Sequence, residues 1–238
     1  MLHYSIFGEG NKDTIVFLHS GLQTGMNDFG HIVDSFKDKY QVIVPDLLGH
    51  GESVIYQDQD YYKNPYLYFL NSSDALKALM DELNISEINI VGISLGALVA
   101  VNFANQYPKH VRSINVSGLM FVKPRNYETM IENDRQNMEM LLQDEEASKY
   151  LENLHRANWK IFVDVARNKN WYPFEDNQKF LSLGMRKYAI LGEMADHEVK
   201  SLHRAKSKNI NLTIIKKSGH LVNHENAKEY IKALKINI

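Results

Sequence analysis

Gly92-Ile93-Ser94-Leu95-Gly96 sits between an apolar run (Ile88, Ile90, Val91) and a helical stretch rich in small residues that ends at Pro108. Between a strand and a helix, the pattern G-x-S-x-G has a mechanical meaning. A serine at so sharp a reversal takes a strained backbone conformation, and its hydroxyl projects clear of the sheet edge. The turn presses together the residues two before and two after it, so glycine at both places relieves the crowding. Ala97 and Ala100 let the helix lie tight against neighbouring strands. Such a turn presents a nucleophile.

Similar apolar runs recur along the chain and end in polar loops. Residues 2–7 read as an early strand. Ile15 to Leu18 runs into His19-Ser20-Gly21, and Val42 to Val44 runs into Pro45-Asp46-Leu47-Leu48-Gly49-His50-Gly51-Glu52-Ser53. Val111 to Ser117, Tyr188 to Leu191 and Leu212 to Ile215 complete the series, the last leading to Ser218-Gly219-His220. Helices are expected at about 28–39, after a cap at Asn71-Ser72-Ser73-Asp74, and at about 225–234. In the second of these, Leu76, Leu79, Met80 and Leu83 share one helical face. Alternating strands and helices predict an α/β fold: a doubly wound, mostly parallel sheet. In such a sheet all the carboxyl ends lie on one edge, where ligands bind. His19, Ser94, Glu193, Asp196 and His220 all follow such ends.

Between residues 121 and 187 the alternation stops. The pattern there is helical over 127–143, 145–158 and 161–168, followed by Trp171-Tyr172-Pro173-Phe174. Both tryptophans, Trp159 and Trp171, fall in this stretch and suggest an apolar roof over a pocket.

Bulk properties narrow the class. The chain has 238 residues, a net charge of −2 and no cysteine. That length suits one α/β domain with a large core. The charge leaves no polycationic footprint for nucleic acid or an anionic membrane. No stretch approaches a spanning helix, and the first residues have no signal-peptide character. A cytoplasmic protein is expected. Without cysteine there is no disulfide framework, thiol nucleophile or thiolate metal site. Oligomeric state leaves no mark on the sequence.

A serine hydroxyl needs a neighbouring base at neutral pH. Of the ten histidines, His220 is best placed, on a loop after the last strand and before a helix. His19 and His50 read as pins for backbone, and His31, His110, His155 and His203 as surface or helix positions. His220 and His224 have a metal-like spacing, but no third ligand is near in sequence, so no metal is expected.

The strand ending in His-Ser-Gly, the Pro-Asp-x-x-Gly-His-Gly-x-Ser loop, the serine turn and the late Gly-His stand in an order that resembles the α/β-hydrolase fold superfamily. The resemblance covers nearly the whole chain. It implies a body formed by residues 1–120 and 188–238, and a helical cap at 121–187 inserted after the family's sixth strand. It implies a triad acid between serine and histidine, in the loop after the next strand. Asp196 is assigned there, with Glu193 as the alternative; the usual position, three residues after the glycine, is held by Ala195. An oxyanion hole would combine the N–H of Leu95 with that of Gly21, or of Leu22.

The expected activity is a serine hydrolase cleaving a small carboxylic ester or related acyl substrate through Ser94, His220 and Asp196, with an acyl-enzyme intermediate and no cofactor. Thioesterase, lactonase, carbon–carbon bond hydrolase and a menaquinone-pathway synthase-like lyase reuse the same parts. The lyase would want clustered arginines at the pocket, for which Arg125, Arg135, Arg156 and Arg167 are available. A ligand-sensing regulator that keeps the hydrolase body is an alternative of another class.

Overall fold

Strands paired in parallel must be covered on both faces, which is why their sequences read as unbroken apolar runs. The computed structural model describes residues 1–207 and 209–238. Its strands are β1 (Tyr4–Phe7), β2 (Thr14–Leu18), β3 (Gln41–Pro45), β4 (Ile88–Ile93), β5 (Val111–Ser117), β6 (Arg186–Gly192) and β7 (Asn211–Ile215). They form one sheet in the order β1-β3-β2-β4-β5-β6-β7. β1 pairs antiparallel with β3, and the remaining pairings are parallel.

The helices are α1 (Gly25–Val33), α2 (Tyr66–Glu82), α3 (Leu95–Gln106), α4 (Tyr127–Gln143), α5 (Glu145–Leu154), α6 (Trp159–Ala166), α7 (Phe174–Leu181), α8 (Asp196–Ala205), α9 (Val222–Glu225) and α10 (Ala227–Asn237). Strand alternation splits the core between the two faces. Val16 and Leu18 join Leu76 of α2 and Leu98 of α3 in one cluster. Ile15 and Phe17 join Phe29 of α1 and Tyr230 of α10 in the other.

Some boundaries differ from the sequence expectation, each for a local reason. α1 begins before residue 28 because Thr24 caps it, its side chain accepting the N–H of Asn27. Asn71-Ser72-Ser73-Asp74 does not cap α2 but lies inside it. The polar groups there find tertiary partners instead: Ser73 donates to Asn102, Asn71 to the hydroxyl of Tyr61, and Asp74 accepts from Tyr107. The final helical stretch is broken at Asn226, whose side chain accepts the N–H of Glu229 and so starts α10.

Between β5 and β6, the fifth and sixth strands in chain order, lie α4 to α7. These four helices divide by their contacts. Tyr127 and Met138 of α4, with Phe162 and Ala166 of α6, face the carboxyl ends of the strands. α7 is fastened to the body: Asp176 accepts from Tyr66 and Asn102, and its carbonyl from Asn105. No helix among the described residues is long and apolar enough to cross a membrane.

Candidate active site

Ser94 occupies the turn between β4 and α3 with φ 53° and ψ −115°, a left-handed conformation costly for a residue with a Cβ. Its glycine neighbours have no room for a side chain. A Cβ at Gly92 would lie 2.5 Å from the carbonyl oxygen of Gly96, and one at Gly96 would lie 2.0 Å from that of Leu18. The N–H of Ser94 donates to the carbonyl of Ser117 at 2.9 Å, which fixes the turn to β5.

His220 reaches this serine from the loop after β7. Its Nε2 lies 2.9 Å from Ser94 Oγ, across 126 positions of sequence. Gly118 (φ 66°) keeps the space clear, since a Cβ there would come within 2.9 Å of the imidazole.

The acid differs from the sequence expectation. Asp196 is exposed on the outer face of α8, where its carboxylate pairs with Lys200 at 2.6 Å. Glu193 is also exposed and accepts the N–H of Lys217. Neither faces His220. Glu198 takes the place instead: its Oε1 accepts the Nδ1–H of His220 at 2.6 Å, and its side chain is 1% exposed. Asp196 starts α8 and points outward; two residues on, the helix has turned Glu198 inward with Ser201 and Leu202. A one-turn spacing of Glu198, Ser201 and Leu202 on a buried stripe was the signal available in the sequence.

The segments bearing acid and base meet because β6 and β7 end side by side. A Cβ at Gly192 would strike the carbonyl of Gly219 at 2.1 Å, and the N–H of Met194 donates to the carbonyl of Ser218. Burial opposes a charge on His220, but the hydrogen bond and charge of Glu198 outweigh it and hold the imidazole pKa above its ordinary value. With Nδ1–H committed to Glu198, the Nε2 lone pair is aimed at the serine hydroxyl.

Leu95 is the first residue of α3, so its N–H has no acceptor within the helix and points out of its positive end. Gly21 and Leu22 lie opposite. A Cβ at Gly21 would come within 3.2 Å of Phe162, and Leu22 itself has φ 58°. His19 holds this loop, donating from Nδ1 to the carbonyl of Ser20 and accepting the N–H of Leu47 at Nε2.

His155, expected at a surface or helix position, is buried. It accepts the N–H of Gly51 and donates to the carbonyl of Leu22, tying the helical excursion to two loops of the body. His50 stands beside it, and burial lowers the pKa of both imidazoles and that of His19.

Two cavities meet at Ser94 and His220. One, of about 560 Å³, runs past Gly21, Leu22, Leu95 and Phe162 to Asp28 and His224. The other, of about 340 Å³, is lined by Leu98, Met120, Met130 and Ile131. Trp171 and Asp134 border both. Trp171 stacks on Phe69 at 6.2 Å, whereas Trp159 packs beneath α4 and α5 with Leu151 and Val163.

His197, Glu198 and His220 offer ligand atoms within 4.8 Å of one another. A cation there would compete with the hydrogen bond between Glu198 and His220. His220 is matched to Glu198 Oε1 on one side and to Ser94 Oγ on the other, an arrangement suited to proton transfer.

Comparison with known proteins agrees with this architecture. The sequence model of the alpha/beta hydrolase fold matches residues 13–188. A cis-3-alkyl-4-alkyloxetan-2-one decarboxylase of Shewanella oneidensis is 33% identical over 115 residues, covering 48% of this chain and 34% of that protein. A 2-hydroxy-6-oxo-6-phenylhexa-2,4-dienoate hydrolase of Comamonas testosteroni is 31% identical over 122 residues, covering 50% and 40% respectively. The matches thus span well under half the length of those relatives. Among solved structures, one from work on carboxylesterases of Nitrososphaera gargenis superposes with a TM-score of 0.79 at 20% identity, covering 98% of this chain and 92% of that one. That likeness is one of fold.

Proposed function

This chain belongs to the alpha/beta hydrolase fold family, and from that premise we propose that it is a serine hydrolase acting on a small carboxylic ester or related acyl compound. One observation carries the reading: His220 bridges Ser94 Oγ at 2.9 Å and Glu198 Oε1 at 2.6 Å. The triad is serine, histidine and glutamate.

His220 Nε2 takes the hydroxyl proton as Ser94 Oγ attacks the acyl carbon, and Glu198 stabilises the imidazolium. The carbonyl oxygen becomes an oxyanion. It is received by the N–H of Leu95 and by one from the Gly21–Leu22 loop, and each such donor contributes on the order of 3 kcal/mol. The tetrahedral intermediate collapses as His220 protonates the leaving oxygen, leaving Ser94 acylated. A water then gives its proton to His220 as its oxygen attacks the acyl carbon, and His220 returns a proton to Ser94 Oγ as the acid is released. Residues 121–187 act as the cap: Trp171, Phe162 and Met138 exclude water from the reacting centre.

The arginine-rich lyase alternative is disfavoured by where the arginines lie. Arg135 pairs with Glu132 and Glu139, Arg167 with Asp164 and Glu139, and Arg156 with Glu52. Arg125 borders a separate surface pocket with Asp196 and Lys200. Among the described residues, no arginine lines either cavity at Ser94.

A fluorophosphonate probe combined with a p-nitrophenyl acetate assay tests the proposal. The expected result is labelling at Ser94, multiple turnovers, and loss of activity on the order of 10⁶-fold in Ser94→Ala and His220→Ala. Undiminished hydrolysis in Ser94→Ala rejects the assignment. Labelling with a single slow turnover supports a ligand-sensing protein instead.

A further inference from the structure

The larger cavity holds a second imidazole bonded to a buried carboxylate. Its chemistry differs from that of the triad. His224 Nε2 donates to Asp28 Oδ1 at 2.8 Å, and the Asp28 side chain is 1% exposed. The other oxygen of Asp28 accepts both the N–H and the Oγ–H of Ser20, each at 2.7 Å. Three donors thus meet the two oxygens of this buried carboxylate.

The His224 side chain, 41% exposed, is held by Asp28 and by the packing of its neighbours. Asn223 donates to the carbonyl of Asp28, and His31 donates to the carbonyl of Asn223. His31 also stacks on His224 with ring centres 5.2 Å apart. Among the described residues the His224 imidazole makes no hydrogen bond other than that to Asp28, so Nδ1 is left for a ligand. His224, Asp28, Ser20 and Gln23 line the same cavity as Ser94 and His220. Their geometry relative to Ser94 differs from that of His220, since no hydroxyl faces His224 Nδ1.

We propose that His224, backed by Asp28, is a specificity subsite for a carboxylate carried on one limb of the acyl substrate. This rests on the serine-hydrolase reading and narrows its substrate class. A carboxylate meeting Nδ1 favours the imidazolium, which then lies between two anions, Asp28 behind and the substrate in front. No arginine competes for the group, so the subsite suits a monoanion. Of the charged groups nearby, Asp134 of α4 borders the same cavity on the side of His197 and His220. Glu225 on the same helix turns back to accept the N–H groups of Gly219 and Leu221. His31 is committed through Nε2–H to the carbonyl of Asn223. The smaller, apolar cavity takes the other limb.

The test compares isosteric substrate pairs: p-nitrophenyl hemiadipate with p-nitrophenyl hexanoate, and ω-acetoxybutanoate with butyl acetate, so that the carboxylate sits on either limb. At about pH 6, kcat/KM for the carboxylate member of one pair is expected to exceed that of its partner about ten-fold, a charge-assisted hydrogen bond's worth. Effects common to both members of a pair, such as those on His220, cancel in the ratio. In His224→Gln the ratio is expected near unity.

A second readout avoids chemistry. Glutarate added to Ser94→Ala protein should shift the imidazole resonance of His224, and it should bind more weakly to Ser94→Ala carrying His224→Gln. Simple esters turning over with Ser94 labelled, but with no carboxylate preference in either pair, would overturn the subsite alone. A ratio unchanged in His224→Gln would overturn it too. Absence of all turnover and of labelling at Ser94 would remove the hydrolase reading, and this one with it.

Discussion

Glu198 Oε1 lies 2.6 Å from His220 Nδ1 although Glu198 stands on the crossover between β6 and β7 and His220 lies beyond the last strand. The contact exists because β6 and β7 end against each other, with no side-chain room between Gly192 and Gly219. Asp196, two residues earlier, faces the opposite way and pairs with Lys200.

That contact separates two carboxylates by experiment. Glu198→Gln presents an amide that can donate to Nδ1 and so favours the wrong imidazole tautomer. A loss of kcat on the order of 10⁴-fold is expected by analogy with other triads. Asp196→Asn, at an exposed ion pair, is expected to stay within about two-fold of the parent, as the small worth of such pairs implies. Steady-state kinetics on p-nitrophenyl acetate decides, and the reverse ranking would return the role to Asp196.

The pH profile carries the same signature. His220 must be neutral to act as base, and Glu198 raises its pKa above the ordinary 6.5. kcat/KM is therefore expected to rise with pH through an ionisation above that value. In Glu198→Gln the residual activity should titrate at lower pH, because burial then acts without its opposing anion. An unmoved acid limb would assign the ionisation elsewhere.

The glycines of the serine turn are steric requirements. Gly96→Ala places a Cβ against the backbone of Leu18, where no flexible side chain can yield. A destabilisation of about 3 kcal/mol is expected, at the upper end for overpacking. For a chain of this size that lowers Tm by roughly 6 to 12 °C. Differential scanning calorimetry measures it. Gly184→Ala, where a Cβ meets nothing within 4 Å, serves as the control.

Three buried imidazoles make stability depend on pH. His19, His50 and His155 have pKa values lowered by burial. Below the unfolded value near 6.5 the unfolded chain binds protons that the folded chain refuses. Stability is therefore full above about pH 6.5 and declines as pH falls below it. His220 contributes with the opposite sign, but it is one group, set against three. Tm is expected to fall between about pH 7 and pH 5. His155→Gln should fall less steeply while starting from a lower Tm, since Gly51 and Leu22 lose their partner. A slope identical to the parent's would exclude His155 from the effect.

The strands, the mostly parallel character of the sheet and the serine turn could be read from the sequence because each rests on neighbours in the chain: apolar runs, a glycine pair, small residues in α3. His220 was legible for a similar reason, as the histidine following the last strand. Helix ends were less so. Asn71 to Asp74 looked like a cap, yet Asn71, Ser73 and Asp74 find their partners in Tyr61, Asn102 and Tyr107 of other elements.

Local sequence thus set the architecture and the candidates for nucleophile and base. Which carboxylate meets His220 was decided by the rotation at which α8 docks on the sheet, a property of packing between distant segments. The same holds for His155 and His224. Their roles come from partners 104 and 196 positions away, and no periodicity along the chain encodes a distance in space.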